Sequence, residues 1–122
     1  MLARFRTVVL GAAVVAAVVV PAVPAQASTR IKGTCTGVPV VYAWSPKAPS
    51  VAKGTKVIWK AVSCSHTVTS YSSNWSKNVT LQVGQTTSRV FNTKGVYRFR
   101  CKFHSTLTSG KCSGMCGRVT VG

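Results

Sequence analysis

The chain has 122 residues, with 16 Lys and Arg, two His and no Asp or Glu, for a formal net charge of +16. Lacking any carboxylate side chain, it cannot run carboxylate acid/base or nucleophile chemistry, nor build the oxygen-rich sites that calcium and magnesium require. The positive charge predicts attraction to acidic partners or an anionic cell surface that weakens with salt, beside a plain solubilising role.

Taken in chain order, residues 1–27 read as a secretory signal. Arg4 and Arg6 give a positive start, Val8 to Val20 is an apolar run, and Ala25-Gln26-Ala27 is a small-residue cleavage site. Pro21 and Pro24 close the apolar run short of the roughly 20 residues that a spanning helix needs. Residues 28–122 then form one domain, too short for a second core. Export implies an oxidising compartment and disulfides for cysteines not otherwise employed.

The predicted elements of that domain are all strands: Val38 to Trp44, Thr55 to Lys60, His66 to Ser70, Asn78 to Val83, Thr87 to Asn92, Val96 to Phe103 and Gly117 to Val121. Gly54, Gly84 and Gly95 mark turns, and Pro46 and Pro49 break the first connection. The clearest pattern is Val96 to Phe103. There Tyr97, Phe99, Cys101 and Phe103 share one face while Arg98, Arg100 and Lys102 share the other, which puts Cys101 on the buried side. No window holds a helical period. Strands at this spacing predict an all-β, two-sheet Greek-key sandwich or barrel. Trp44 and Trp59 read as core and Trp75 as packed at the core edge. The aromatics sit at these core-like positions and do not alternate with basic residues in a stacking groove, so specific nucleic-acid recognition is not expected.

The chemistry lies in four side chains. His66 and His104 are the chain's two histidines, Cys101 stands three residues before His104, and Met115 follows late in the chain. One thiolate, two imidazoles and a thioether suit a trigonal His₂Cys copper site with a weak axial methionine. The cysteine count supports this: five in an exported chain leave one over, and a metal thiolate resolves the parity. Cys35, Cys64, Cys112 and Cys116 remain for two disulfides in any of three connectivities, or for a Cys₄ zinc site. Cys64 lies close to His66, and Cys112 and Cys116 bracket Met115. We therefore expect Cys64 to join Cys112 or Cys116 and tie the ligand loops together.

These residues carry a family resemblance. From Tyr42 onward, AWSPKAPSVAKGTKVIWK, SHTVTS, GVYRFRCKFH and GMCGRVTV resemble the opening strands, first histidine loop and closing ligand loop of plastocyanin-type cupredoxins. The resemblance implies a cupredoxin-like sandwich in which His66, Cys101 and His104 bind copper equatorially and Met115 binds axially. It also implies that His104 is the partly exposed imidazole through which electrons pass, inside an apolar patch for which Phe103 and Leu107 are candidates. The interval from His104 to Met115 is longer than in plastocyanin-like chains. Ser105 to Gly114 is expected to extrude as a loop pinned near its base by Cys112.

The function so implied is that of a small secreted blue copper protein, a monomer carrying single electrons between redox partner proteins that offer acidic docking surfaces. Two alternatives stand beside it: copper delivery or sequestration without redox partners, and a metal-free sandwich that binds polyanions. With no spare histidines for a second copper centre, an enzyme is not expected.

Overall fold

The computed structural model describes residues 8–22 and 25–122. Arg4, Arg6 and Pro24 of the predicted signal lie outside the described residues. Residues 8–22 form no regular element, and their Val and Leu side chains are exposed. Among the described residues, no helix is long and apolar enough to cross a membrane.

The described residues hold nine strands: β1 (Ser28–Thr36), β2 (Val41–Ser45), β3 (Ser50–Val51), β4 (Thr55–Ala61), β5 (His66–Ser70), β6 (Asn78–Leu81), β7 (Thr86–Phe91), β8 (Gly95–Thr108) and β9 (Lys111–Val121). They form two facing sheets, ordered β2-β1-β4-β7 and β3-β9-β8-β5-β6. Both sheets are mixed, because β1 runs parallel to β4 and β3 parallel to β9. The expected all-β sandwich is the observed one.

Alternation explains which residues pack between the sheets. In β4, Thr55, Val57, Trp59 and Ala61 point inward and are buried. Tyr97, Phe99 and Cys101 do the same from β8. The aromatic centre is Trp59, stacked on Trp75 at 6.0 Å between ring centroids and edge-on to Phe99 at 5.4 Å. Such tilted and offset ring pairs contribute about 0.5–1.5 kcal/mol each beyond burial. Tyr97 donates its hydroxyl to the Thr93 carbonyl at 2.6 Å, fastening the turn that leads into β8.

Several sequence expectations need correction. β1 was not anticipated, because STRIKGTCT offers only Ile31 and Gly33 to the interior and shows little apolar alternation. It owes its place to pairing with β2 and β4 on both sides. The expected Val38 to Trp44 strand begins only at Val41, since Gly37 at φ +84° turns the chain and Val38 is wholly exposed. Gly95 opens a strand where a turn was expected. Phe103 leaves the core face, because the pairing of β8 with β9 is interrupted between Arg100 and Ser105.

Candidate metal centre

The centre is built on a large irregularity between β8 and β9. Regular pairing runs to Arg100↔Cys116 and resumes at Ser105↔Gly114, so the four residues Cys101 to His104 stand opposite Met115 alone. An outward bulge of this size breaks the alternation of β8. Cys101 stays buried, Phe103 swings out to 57% exposure, and His104 is half-buried. The freed backbone groups find side-chain partners, as buried or half-buried polar groups must. The Lys102 amide donates to Thr67 Oγ1 at 2.7 Å, and Ser105 Oγ donates to the Cys101 carbonyl at 2.5 Å. Arg100 Nη1 in turn donates to Ser105 Oγ at 3.2 Å.

β8 continues beyond the bulge. Ser105 to Thr108 pairs with Lys111 to Gly114, so the expected loop is instead a β-hairpin arm. Its two-residue turn, Ser109-Gly110, has positive φ at both positions, 50° and 76°. A turn of that hand matches the twist of the strands it joins, which is why the arm is regular.

β5 brings His66 to the bulge. Its imidazole is fully buried, and Nε2 donates to the Ser63 carbonyl at 2.7 Å. A carbonyl only accepts, so the proton resides on Nε2 and Nδ1 carries a lone pair. That Nδ1 is buried with no hydrogen-bond partner. On the far side, His104 Nδ1 lies 3.5 Å from Cys101 Sγ, which also accepts the Thr67 amide at 3.3 Å. The donor atoms of His66, Cys101 and His104 all fall within 4.8 Å of one another. Burial drives the pKa of both imidazoles below the usual 6.5; the Ser63 carbonyl partly offsets this at His66, and the neighbouring His66 adds to it at His104. Neutral imidazoles are the form that binds metal.

Met115 is buried, and its carbonyl accepts from Trp44 Nε1 at 3.2 Å, a bond from β2 that fixes the backbone opposite the bulge. The structure thus brings His66, Cys101 and His104 together and places Met115 in β9 opposite the bulge. Phe103 lies beside His104, ring centroids 6.2 Å apart, while Leu107 sits on the hairpin arm opposite Cys112.

The disulfides differ from expectation. Cys35 pairs with Cys64 and Cys112 with Cys116, so Cys64 joins neither of the late cysteines, and the Cys₄ zinc alternative falls with its ligands. Neighbouring strands decide this: β1 brings Cys35 to the β4–β5 connection. The Cys35–Cys64 bridge closes 29 residues and contributes about 2–4 kcal/mol through the unfolded chain. It also braces the segment that presents Ser63, whose hydroxyl bonds the Cys35 amide and carbonyl. The Cys112–Cys116 bridge brackets Met115 at the base of the hairpin.

Two residues of the site were not found by sequence reasoning. A Cβ on Gly33 would lie 2.9 Å from both the His66 and Trp44 rings, so only glycine leaves room for the buried imidazole. The Tyr42 ring stacks on His104 with centroids 3.6 Å apart and planes 8° from parallel. Neither shows any signal in the sequence, since both contacts join strands distant in the chain.

No family model and no curated protein matches the chain. Among solved structures, it is similar to a novel purple cupredoxin from Nitrosopumilus maritimus, with 26% identity over 80% of this chain and 100% of that one and a TM-score of 0.55. It is also similar to pseudoazurin from Methylobacterium extorquens AM1, at 22% identity over 78% of this chain and 75% of that one, with a TM-score of 0.60. A copper-containing nitrite reductase from Thermus scotoductus SA-01 is similar at 16% identity and a TM-score of 0.58 over 88% of this chain, which spans 25% of that enzyme.

Proposed function

We propose that this chain, which has the cupredoxin fold and the His₂Cys-Met donor set of a type 1 copper site, is an exported blue copper protein that carries single electrons between partner proteins. The observation that carries the reading is the buried Nδ1 of His66, unpartnered and converging with Cys101 and His104. An unsatisfied buried acceptor costs about 1–3 kcal/mol, and a soft metal ion relieves that cost. When bound, copper supplies a one-electron couple between its two common oxidation states.

The protein's part is to hold the donors still. His66, Cys101, His104 and Met115 sit on three strands of one sheet, braced by the Trp44 bond to Met115 and the Thr67 amide bond to the Cys101 sulfur. An amide bond at the sulfur orients it and tunes its donor strength toward a metal. His104 is the half-buried ligand, flanked by the exposed Phe103, and this edge is where we place electron entry and exit. The nitrite reductase similarity covers one quarter of that enzyme, and the two histidines here are both used at one centre, which favours a carrier over an enzyme.

Residues 1–27 fit a removable export signal, a reading supported by the first strand starting at Ser28 and by two disulfides suited to an oxidising compartment. Of the 16 Lys and Arg residues, 14 lie after residue 27, and the partner surface complementary to that charge is acidic.

The deciding experiment is the visible and EPR spectrum of the purified protein with Cu(II), beside a Cys101→Ser variant. The expected result is an intense thiolate-to-copper band with narrow hyperfine splitting, absent from the variant. A pale, tetragonal copper spectrum, or no stoichiometric binding, would overturn the reading.

A further inference from the structure

The outer face of β8 and β9 concentrates positive charge without any internal counterweight. Arg98 and Arg118 are direct cross-strand partners, and Arg100 follows two residues along β8 on the same face. Like charges directly opposite on a sheet repel and destabilise it. The chain contains no Asp or Glu to separate or pair them.

The fold adds to this cluster. The Arg118 amide donates to the Lys47 carbonyl at 2.9 Å, which draws Lys47 over the edge of β9. Gly117 permits that approach, since a Cβ there would lie 2.7 Å from the same carbonyl. The result is a cleft of about 180 Å³ lined by Lys47, Tyr71, Arg98 and Arg118. A second cleft, sharing Tyr71 and Arg98, continues the basic surface to Lys111 on the hairpin arm. Beside it, Arg100 Nε is buried without a hydrogen-bond partner. Arg98 and Arg118, cross-strand partners lining one cleft, suit the oxygens of a tetrahedral anion, which guanidinium groups grip through paired N–H donors.

We propose that the cleft between Arg98, Arg118 and Lys47 binds a tetrahedral oxyanion, specifically a phosphate group, either free or carried on a polymer. The anion supplies the counter-charge that the sequence omits, and Arg98 and Arg118 are its principal ligands. This site is separate from the four metal-centre side chains and does not rest on copper binding, so the two readings succeed or fail independently.

The test is calorimetric titration of the full-length protein with inorganic phosphate and, separately, with linear polyphosphate, at constant ionic strength. Arg98→Gln and Arg118→Gln are compared with Lys53→Gln, which removes the same charge in the turn before β4. The expected result is saturable binding that weakens about tenfold or more in each arginine variant and is unchanged in Lys53→Gln. Saturation by free phosphate assigns a small-ion site. Saturation by the polymer alone, with the same variant pattern, assigns a chain-borne phosphate.

Thermal unfolding gives a second readout, because a ligand of the folded state raises the midpoint. Phosphate should raise it in the wild type and in Lys53→Gln but not in Arg118→Gln, which loses a like-charge contact and should fold at least as well. Binding that never saturates, or that falls equally in all three variants, would reduce the effect to diffuse charge and overturn the proposal.

Discussion

Gly33 matters to the metal centre through the space it leaves. The rings of His66 and Trp44 occupy the volume a side chain would take, and each is held by a hydrogen bond, His66 to the Ser63 carbonyl and Trp44 to the Met115 carbonyl. Gly33→Ala should therefore cost about 1–3 kcal/mol in urea unfolding and shift the copper absorption band by moving His66. An unchanged midpoint and spectrum would show that the two rings relax freely. Tyr42 acts on the other imidazole, as a flat cover stacked on His104. Tyr42→Leu should lose about 0.5–1.5 kcal/mol of stability in the metal-free protein, and Tyr42→Phe should retain it, because the contact is made by the ring face. Equal losses in both variants would shift the role to the hydroxyl.

At the scale of elements, the centre is a strand irregularity held between two regular stretches. β8 and β9 pair on both sides of it, and the Cys112–Cys116 bridge ties its lower edge. Gly114 closes the bulge at φ +98°, where a Cβ would fall 2.5 Å from the His104 carbonyl. Gly114→Ala is expected to destabilise by about 1–3 kcal/mol, through left-handed strain and this clash, and to weaken copper retention by displacing His104. A chelator competition in which variant and wild type release copper alike would contradict that. The spacing of Cys101, His104 and Met115 was legible in the sequence, as was the inward side of β8 up to Cys101. The hairpin arm was not, because residues 105–114 show little apolar alternation and pair through backbone bonds and a suitable turn. The buried-face reading of Phe103 failed for the same cause, since a period of two holds only while the strand is unbroken.

For the molecule as a whole, the absence of carboxylate side chains makes its acid behaviour unusually simple. Between about pH 4 and 7 the ionising side chains are His66 and His104 alone. Folding holds both below their usual 6.5, so the unfolded chain binds more protons in that range. Stability of the metal-free protein should be flat just above this range, decline as the pH falls below about 6.5, and level off once both folded imidazoles are protonated. Replacing both histidines with Gln should flatten the curve of unfolding midpoint against pH. A persistent slope in that variant would mean another group drives it.

By itself the sequence determined the donor types, the positive charge that no internal acid offsets, and the all-β class, because each follows from composition, spacing or alternation along one strand. Only the tertiary structure decided the disulfide pairs, the four-against-one bulge, the room at Gly33 and the stack on His104. Those depend on which strands lie side by side, and β1, the strand that delivers Cys35 and Gly33, is specified by its neighbours more than by its own residues.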